Sequence, residues 1–222
     1  MTTCGLRNYS SGRRRVTGTQ PRPIQESTPS MEHIPVTMVR EDLCGLRSHP
    51  LPEGYRLRRF CPGDERLWAE IETQAGEFDD PAYAEDRFNR EFGASLDEMR
   101  DRCFILETAD GHGIGTATAW YNGAFRRPDT DALLGDCGRI HWVGIRPAFQ
   151  GRGLSKPLVS VALSRLSESH TKAYLTTQTT SWIAVKVYID LGFVPLLPTP
   201  RWEEAWRLIA ETTRCPQLAR FL

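Results

Sequence analysis

The chain has 222 residues, 40% of them hydrophobic, and its 28 basic and 28 acidic side chains leave it formally neutral. That is enough apolar material for one catalytic-size core, and it supplies no basic surface for nucleic acid. No apolar run approaches the ~18 residues a membrane helix needs. The six cysteines form no Cys-x-x-Cys pair and no Cys/His cluster, which points to reduced thiols in a cytoplasmic protein rather than to zinc or a disulfide framework.

Residues 1–45 are rich in Ser, Thr, Pro and Arg and have no hydrophobic period, so they read as a disordered extension that cannot offset its ordering entropy. The Arg13-Arg14-Arg15 run also suits a targeting peptide, although Gly12, Pro21 and Pro23 oppose the helix such a signal needs. A true start at Met31 or Met38 is a further account of the same stretch. Residues 46–222 read as one globular domain. Residues 55–59 alternate as a first strand, and Pro62-Gly63-Asp64 turns into a helix with Leu67, Trp68 and Ile71 on one face. A second helix spans about 82–92. Ser95 and Glu98 are spaced as a capping box for a third. Residues 103–107 and 115–120 flank Asp110-Gly111 as a hairpin. The nearby Gly111-His-Gly-Ile-Gly115 mimics a dinucleotide fingerprint, but a strand follows it where a helix is required. Residues 121–136 read as a loop. Strands at 140–145, 173–178 and 193–194 then alternate with helices after Gly151, at 181–190 and at 203–212. The order describes an α+β domain around one mixed sheet of six or seven strands.

The junction Gln150-Gly151-Arg152-Gly153-Leu154-Ser155 links a strand to a helix whose apolar face carries Leu158, Ala162 and Leu166. Two glycines there let the backbone approach a ligand closely, and the free amides and dipole of the helix start suit phosphate oxygens. Arg152 adds a positive charge at the rim. Farther on stands Ser181-Trp-Ile-Ala184-Val-Lys-Val-Tyr188-Ile-Asp-Leu-Gly192-Phe193.

Together these two blocks resemble the GCN5-related N-acetyltransferase superfamily. Its pyrophosphate loop, Gln/Arg-x-x-Gly-x-Gly/Ala, matches Gln150 and Gly153, with Ser155 departing at the last position. Its Asn-x-x-Ala-x-x-x-Tyr-x-x-x-Gly-Phe matches the second block, with Ser181 in place of Asn. The resemblance spans about residues 55–193. It implies the family's fold, with strands splayed at the cofactor site, and acetyl-CoA as co-substrate for transfer to the amine of a small molecule or a peptide. By the same resemblance the amides of Gln150, Gly151, Arg152, Gly153, Leu154 and Ser155 hold the pyrophosphate. Val143, Gly144 and Ile145 pair with the pantetheine arm.

Gly144 inside a strand marks either that close approach or packing under Trp142. Tyr188 matches the family's general acid and otherwise serves as a core aromatic. Ser181 either contacts the cofactor or caps its helix. The base is not legible: His141 has a suitable ordinary pKa, yet packing would equally explain it. Glu77, Asp79, Asp80 and Asp86 would favour a cationic amine if they face the site. A non-catalytic acyl-CoA-binding module is the rival reading, and the sequence leaves monomer and homodimer open.

Overall fold

The computed structural model describes residues 31–121, 135 and 137–222. Its strands are β1 (Pro35–Arg40), β2 (Tyr55–Arg59), β3 (Cys103–Thr108), β4 (Gly113–Trp120), β5 (Cys137–Ile145), β6 (Lys172–Gln178) and β7 (Val194–Pro195). They form one open mixed sheet in the order β2-β3-β4-β5-β6-β1-β7, antiparallel throughout except for the parallel pair β5–β6. The expected α+β architecture with a central mixed sheet is therefore present, with seven strands.

Strand alternation sends side chains to two cores. Phe104 and Leu106 of β3 join one cluster, together with Ala117 and Ala119 of β4 and Ile140 of β5. The helices α4 (Ser155–Ser167), α5 (Trp182–Asp190) and α6 (Trp202–Thr213) cover that cluster. Cys103 and Ile105 face the other way, into a cluster with Trp68, Phe88, Phe92 and Met99. This second cluster lies under α1 (Glu65–Ala75), α2 (Pro81–Phe92) and α3 (Leu96–Arg102). Lys156 of α4 ties to Asp190 of α5 at 2.9 Å.

Two sequence expectations change. Residues 35–40 lie inside the stretch read as disordered, yet β1 pairs along its whole length with β6 and also with β7. Val36 and Met38 point into the main core, and that burial, invisible in an average over 45 residues, orders the segment. Ser95 makes no side-chain cap for α3, so the capping box is not formed. The expectations for residues 1–30, and for all of the 121–136 loop but Tyr121 and Gly135, lie outside the described residues. No described helix is long and apolar enough to cross a membrane.

Candidate active site

β5 and β6 pair only from Cys137↔Lys172 to Arg139↔Tyr174; beyond that point they part. The gap is a cavity of about 350 Å³ lined by residues of both strands, among them His141, Val143, Leu175 and Thr176. Tyr188 reaches it from the α4–α5 core. His141 and Arg139 reach it from the opposite face, two residues apart in register, so the cavity passes through the sheet.

β5 also carries a bulge. Its register against β4 runs Thr116↔Gly144 and then Thr118↔His141, which leaves one extra residue on β5. Trp142 absorbs it with φ of 47°, a left-handed conformation costly for a bulky residue. Aromatic packing holds it there: its ring centroid lies 5.5 Å from Trp68 and 5.1 Å from Phe78, and its indole donates to Glu91 at 3.2 Å. A bulge frees backbone groups from the ladder, and here it does so beside Val143 on the cavity wall.

At the end of β5, Gln150 folds back and its Nε2 donates to the Ile145 carbonyl at 2.8 Å. Gly151 and Gly153 have φ of 74° and 76°, and a Cβ on either would meet open space. No side chain caps the start of α4, where Ser155 is the first helical residue. The loop is thus an open cradle of amides at a positive helix end. Leu154 is buried in the main core, so only its backbone faces this way. Arg152 donates to Tyr55 Oη at 3.1 Å and to the Ala148 carbonyl at 2.9 Å.

Gly144 has a structural cause. A Cβ there would stand 3.0 Å from Ala75 Cβ and from both carboxylate oxygens of Glu72, because α1 packs directly on the strand. Ser181 precedes α5 without capping it and accepts from Gln178 Nε2 at 2.9 Å.

His141 is 8% exposed, and its Nε2 lies 2.5 Å from Glu91 Oε1. Burial lowers the His141 pKa, and Arg139 and Arg87 lower it further against the pull of Glu91. Burial acts to raise Glu91, but hydrogen bonds from His141 and Trp142 and the Arg87 charge outweigh it and hold that carboxyl low. An ionised carboxylate only accepts, so the neutral imidazole keeps its proton on Nε2 and leaves Nδ1, which meets no donor among the described residues, as the acceptor. Tyr188 is 6% exposed, and its hydroxyl makes no hydrogen bond to the described residues. Burial, with the charges of Glu77 and Glu72, pushes its pKa above the ordinary phenol value, so it stays a proton donor.

Sequence reasoning missed Glu91 and Glu72. Glu91 lies on α2 one residue before buried Phe92. Glu72 stands four residues after Trp68, on the apolar stripe itself, and an acid in that register was the readable signal. Of the acids expected at the acceptor side, only Glu77 lines the cavity. Asp80 caps α2 through Ala82 at 3.1 Å, Asp86 pairs with Arg90 at 2.9 Å, and Asp79 is exposed.

A family model described as Acetyltransferase (GNAT) family matches residues 65–193. A mycothiol acetyltransferase of Actinosynnema mirum is 30% identical over 171 residues, covering 70% of this chain and 50% of its own length. One from Corynebacterium aurimucosum is 27% identical, covering 73% of this chain and 43% of its own length. The chain spans about half the length of the curated relatives it matches. A solved GCN5-related N-acetyltransferase from Sphaerobacter thermophilus superposes with a TM-score of 0.56 at 22% identity, covering 73% of this chain and 50% of that one. That likeness bears on the fold.

Proposed function

The chain belongs to the acetyltransferase (GNAT) family, whose acetyl donor is acetyl-CoA, and on that premise we propose that it acetylates the amine of a small molecule with Tyr188 as general acid. The relatives' name, mycothiol acetyltransferase, supports a small-molecule acceptor. What carries the reading is the gap between β5 and β6, which brings Tyr188 and His141 from opposite faces into one cavity.

The residues present fit the donor. The open glycine cradle of 150–155 receives the pyrophosphate on its amides, and the bulged strand offers Val143, Gly144 and Ile145 to the pantetheine arm. Ser181, held by Gln178, lies at the start of α5, the helix that carries Tyr188. Acetyl-CoA supplies an activated acetyl thioester. The freed backbone at Val143 donates to the developing oxyanion. His141 takes a proton from the attacking amine at Nδ1, with Glu91 stabilising the resulting imidazolium. As the C–N bond forms and the C–S bond breaks, the Tyr188 hydroxyl passes its proton to the departing sulfur.

The test is calorimetric titration with acetyl-CoA, CoA and ATP, followed by turnover of Tyr188→Phe. We expect binding selective for the CoA ligands and an unchanged acetyl-CoA affinity in the variant. Its turnover should be lower by about 10²- to 10⁴-fold, the usual worth of a general acid. A Tyr188→Phe enzyme as fast as the wild type would remove Tyr188 from the role, and absence of acetyl-CoA binding would remove the function.

A further inference from the structure

The cavity holds a cation that the chemistry above does not use. Arg139 sits at the last β5–β6 pair, at the vertex of the splay, and its side chain lines the cavity. Its guanidinium lies 5.9 Å from the Tyr174 ring centroid and donates from Nη2 to Thr176 Oγ1 at 3.2 Å. No carboxylate pairs with it among the described residues, and its Nε, shielded from solvent, has no acceptor. The other arginine of the cavity already has a carboxylate partner, since Arg87 pairs with Glu91 at 3.1 Å. An arginine has five donors in a planar fork, and this one leaves most of them unspent beside the catalytic gap.

We propose that the acceptor is an amine that also carries a carboxylate, and that Arg139, steadied by Thr176, binds that carboxylate. This inference rests on the acetyltransferase reading of the same cavity and names its substrate class. Arg139 and His141 share a strand face two residues apart, roughly 7 Å along the strand. A carboxylate on the one and an amine at the other are spanned by a small amino acid. The uncompensated charge of Arg139 also explains part of the depressed His141 pKa, which keeps that ring neutral and able to accept a proton. A bound carboxylate would neutralise the charge as the substrate enters.

The experiment compares acceptors that differ only in this group. Panels of α- and ω-amino acids and their carboxamides are assayed by release of CoA thiol, with acetyl-CoA binding measured in parallel by calorimetry. In the wild type we expect kcat/KM for acids to exceed that for the matching amides by about tenfold or more. Arg139→Gln should bring the ratio close to one, Arg139→Lys should keep part of it, and both should bind acetyl-CoA as the wild type does, which certifies the fold. Amides that react as well as acids overturn the proposal. So does an acid/amide ratio that survives Arg139→Gln, or a failure to acetylate any carboxylated amine while acetyl-CoA binds. Failure of the wild type to bind acetyl-CoA overturns the acetyltransferase reading itself.

Discussion

Glu72 has no exposed surface, and one of its carboxylate oxygens lacks any hydrogen-bond partner. The other meets Thr116 Oγ1, which also lies 3.3 Å from the carbonyl of Trp142 in the bulge. As a neutral acid, Glu72 donates to the Thr116 hydroxyl and frees that hydroxyl's proton for the Trp142 carbonyl. As an anion it takes the Thr116 proton, and the bulge carbonyl goes without. Burial pushes the pKa up to about 8 from an ordinary 4.5, with the Thr116 hydrogen bond opposing and the Glu77 charge adding; Tyr188 and Cys103 also feel its charge. The folded state therefore holds this proton more tightly than the unfolded state. Stability from this site is complete below about pH 4.5, is lost as pH rises toward 8, and is level above. The whole difference is at most about 5 kcal/mol. Glu72→Gln, which stays neutral and still donates, should flatten the dependence and melt above the wild type near pH 9. Thermal melting at about pH 5, 7 and 9 decides it, and parallel curves for the two proteins would refute the assignment.

The same glycine-to-alanine change should have opposite readouts on two neighbouring elements. At Gly144 the added methyl would press on Ala75 and Glu72 at 3.0 Å, so α1 must lift from β5. Overpacking of this kind costs about 1–3 kcal/mol, and Gly144→Ala should lower the melting temperature. At Gly153 a methyl meets nothing, but φ of 76° strains any L side chain by about 1–2 kcal/mol. The loop can relieve that strain by turning its amides, so Gly153→Ala should weaken acetyl-CoA about tenfold with little change in melting. Calorimetry and melting on both variants separate the effects; equal losses of stability would show the loop to be structural. The two elements also differ in how readable they were. The loop was legible because glycine is the residue its backbone requires. The bulge was not, because Trp142 is poorly suited to a left-handed backbone, and only contacts from Trp68 and Phe78, distant in sequence, impose it.

Across the whole molecule, β1 lies between β6 and β7 in the open sheet and stands outside the segment that matches the family model. Local reading could not find it: six residues amid Ser- and Pro-rich sequence carry too little periodicity, and their hydrogen-bond partners lie about 140 residues away in β6. The splay of β5 from β6 was likewise reachable only by resemblance, since strand pairing leaves no mark on either strand alone. β1 nonetheless bears on the candidate site, because it backs β6 and its first residue, Pro35, lines the β5–β6 cavity with His33. Met38 lies at its centre, opposite Leu175 of β6, with no exposed surface. Truncating such a buried Met costs about 2–5 kcal/mol. Met38→Ala should therefore lose that much stability in urea denaturation. By slackening the β6 wall of the gap, it should also weaken acetyl-CoA binding at temperatures where the protein is still folded. If stability falls while binding holds, β1 supports the core without setting the gap; a loss below about 1 kcal/mol would make β1 peripheral to the fold.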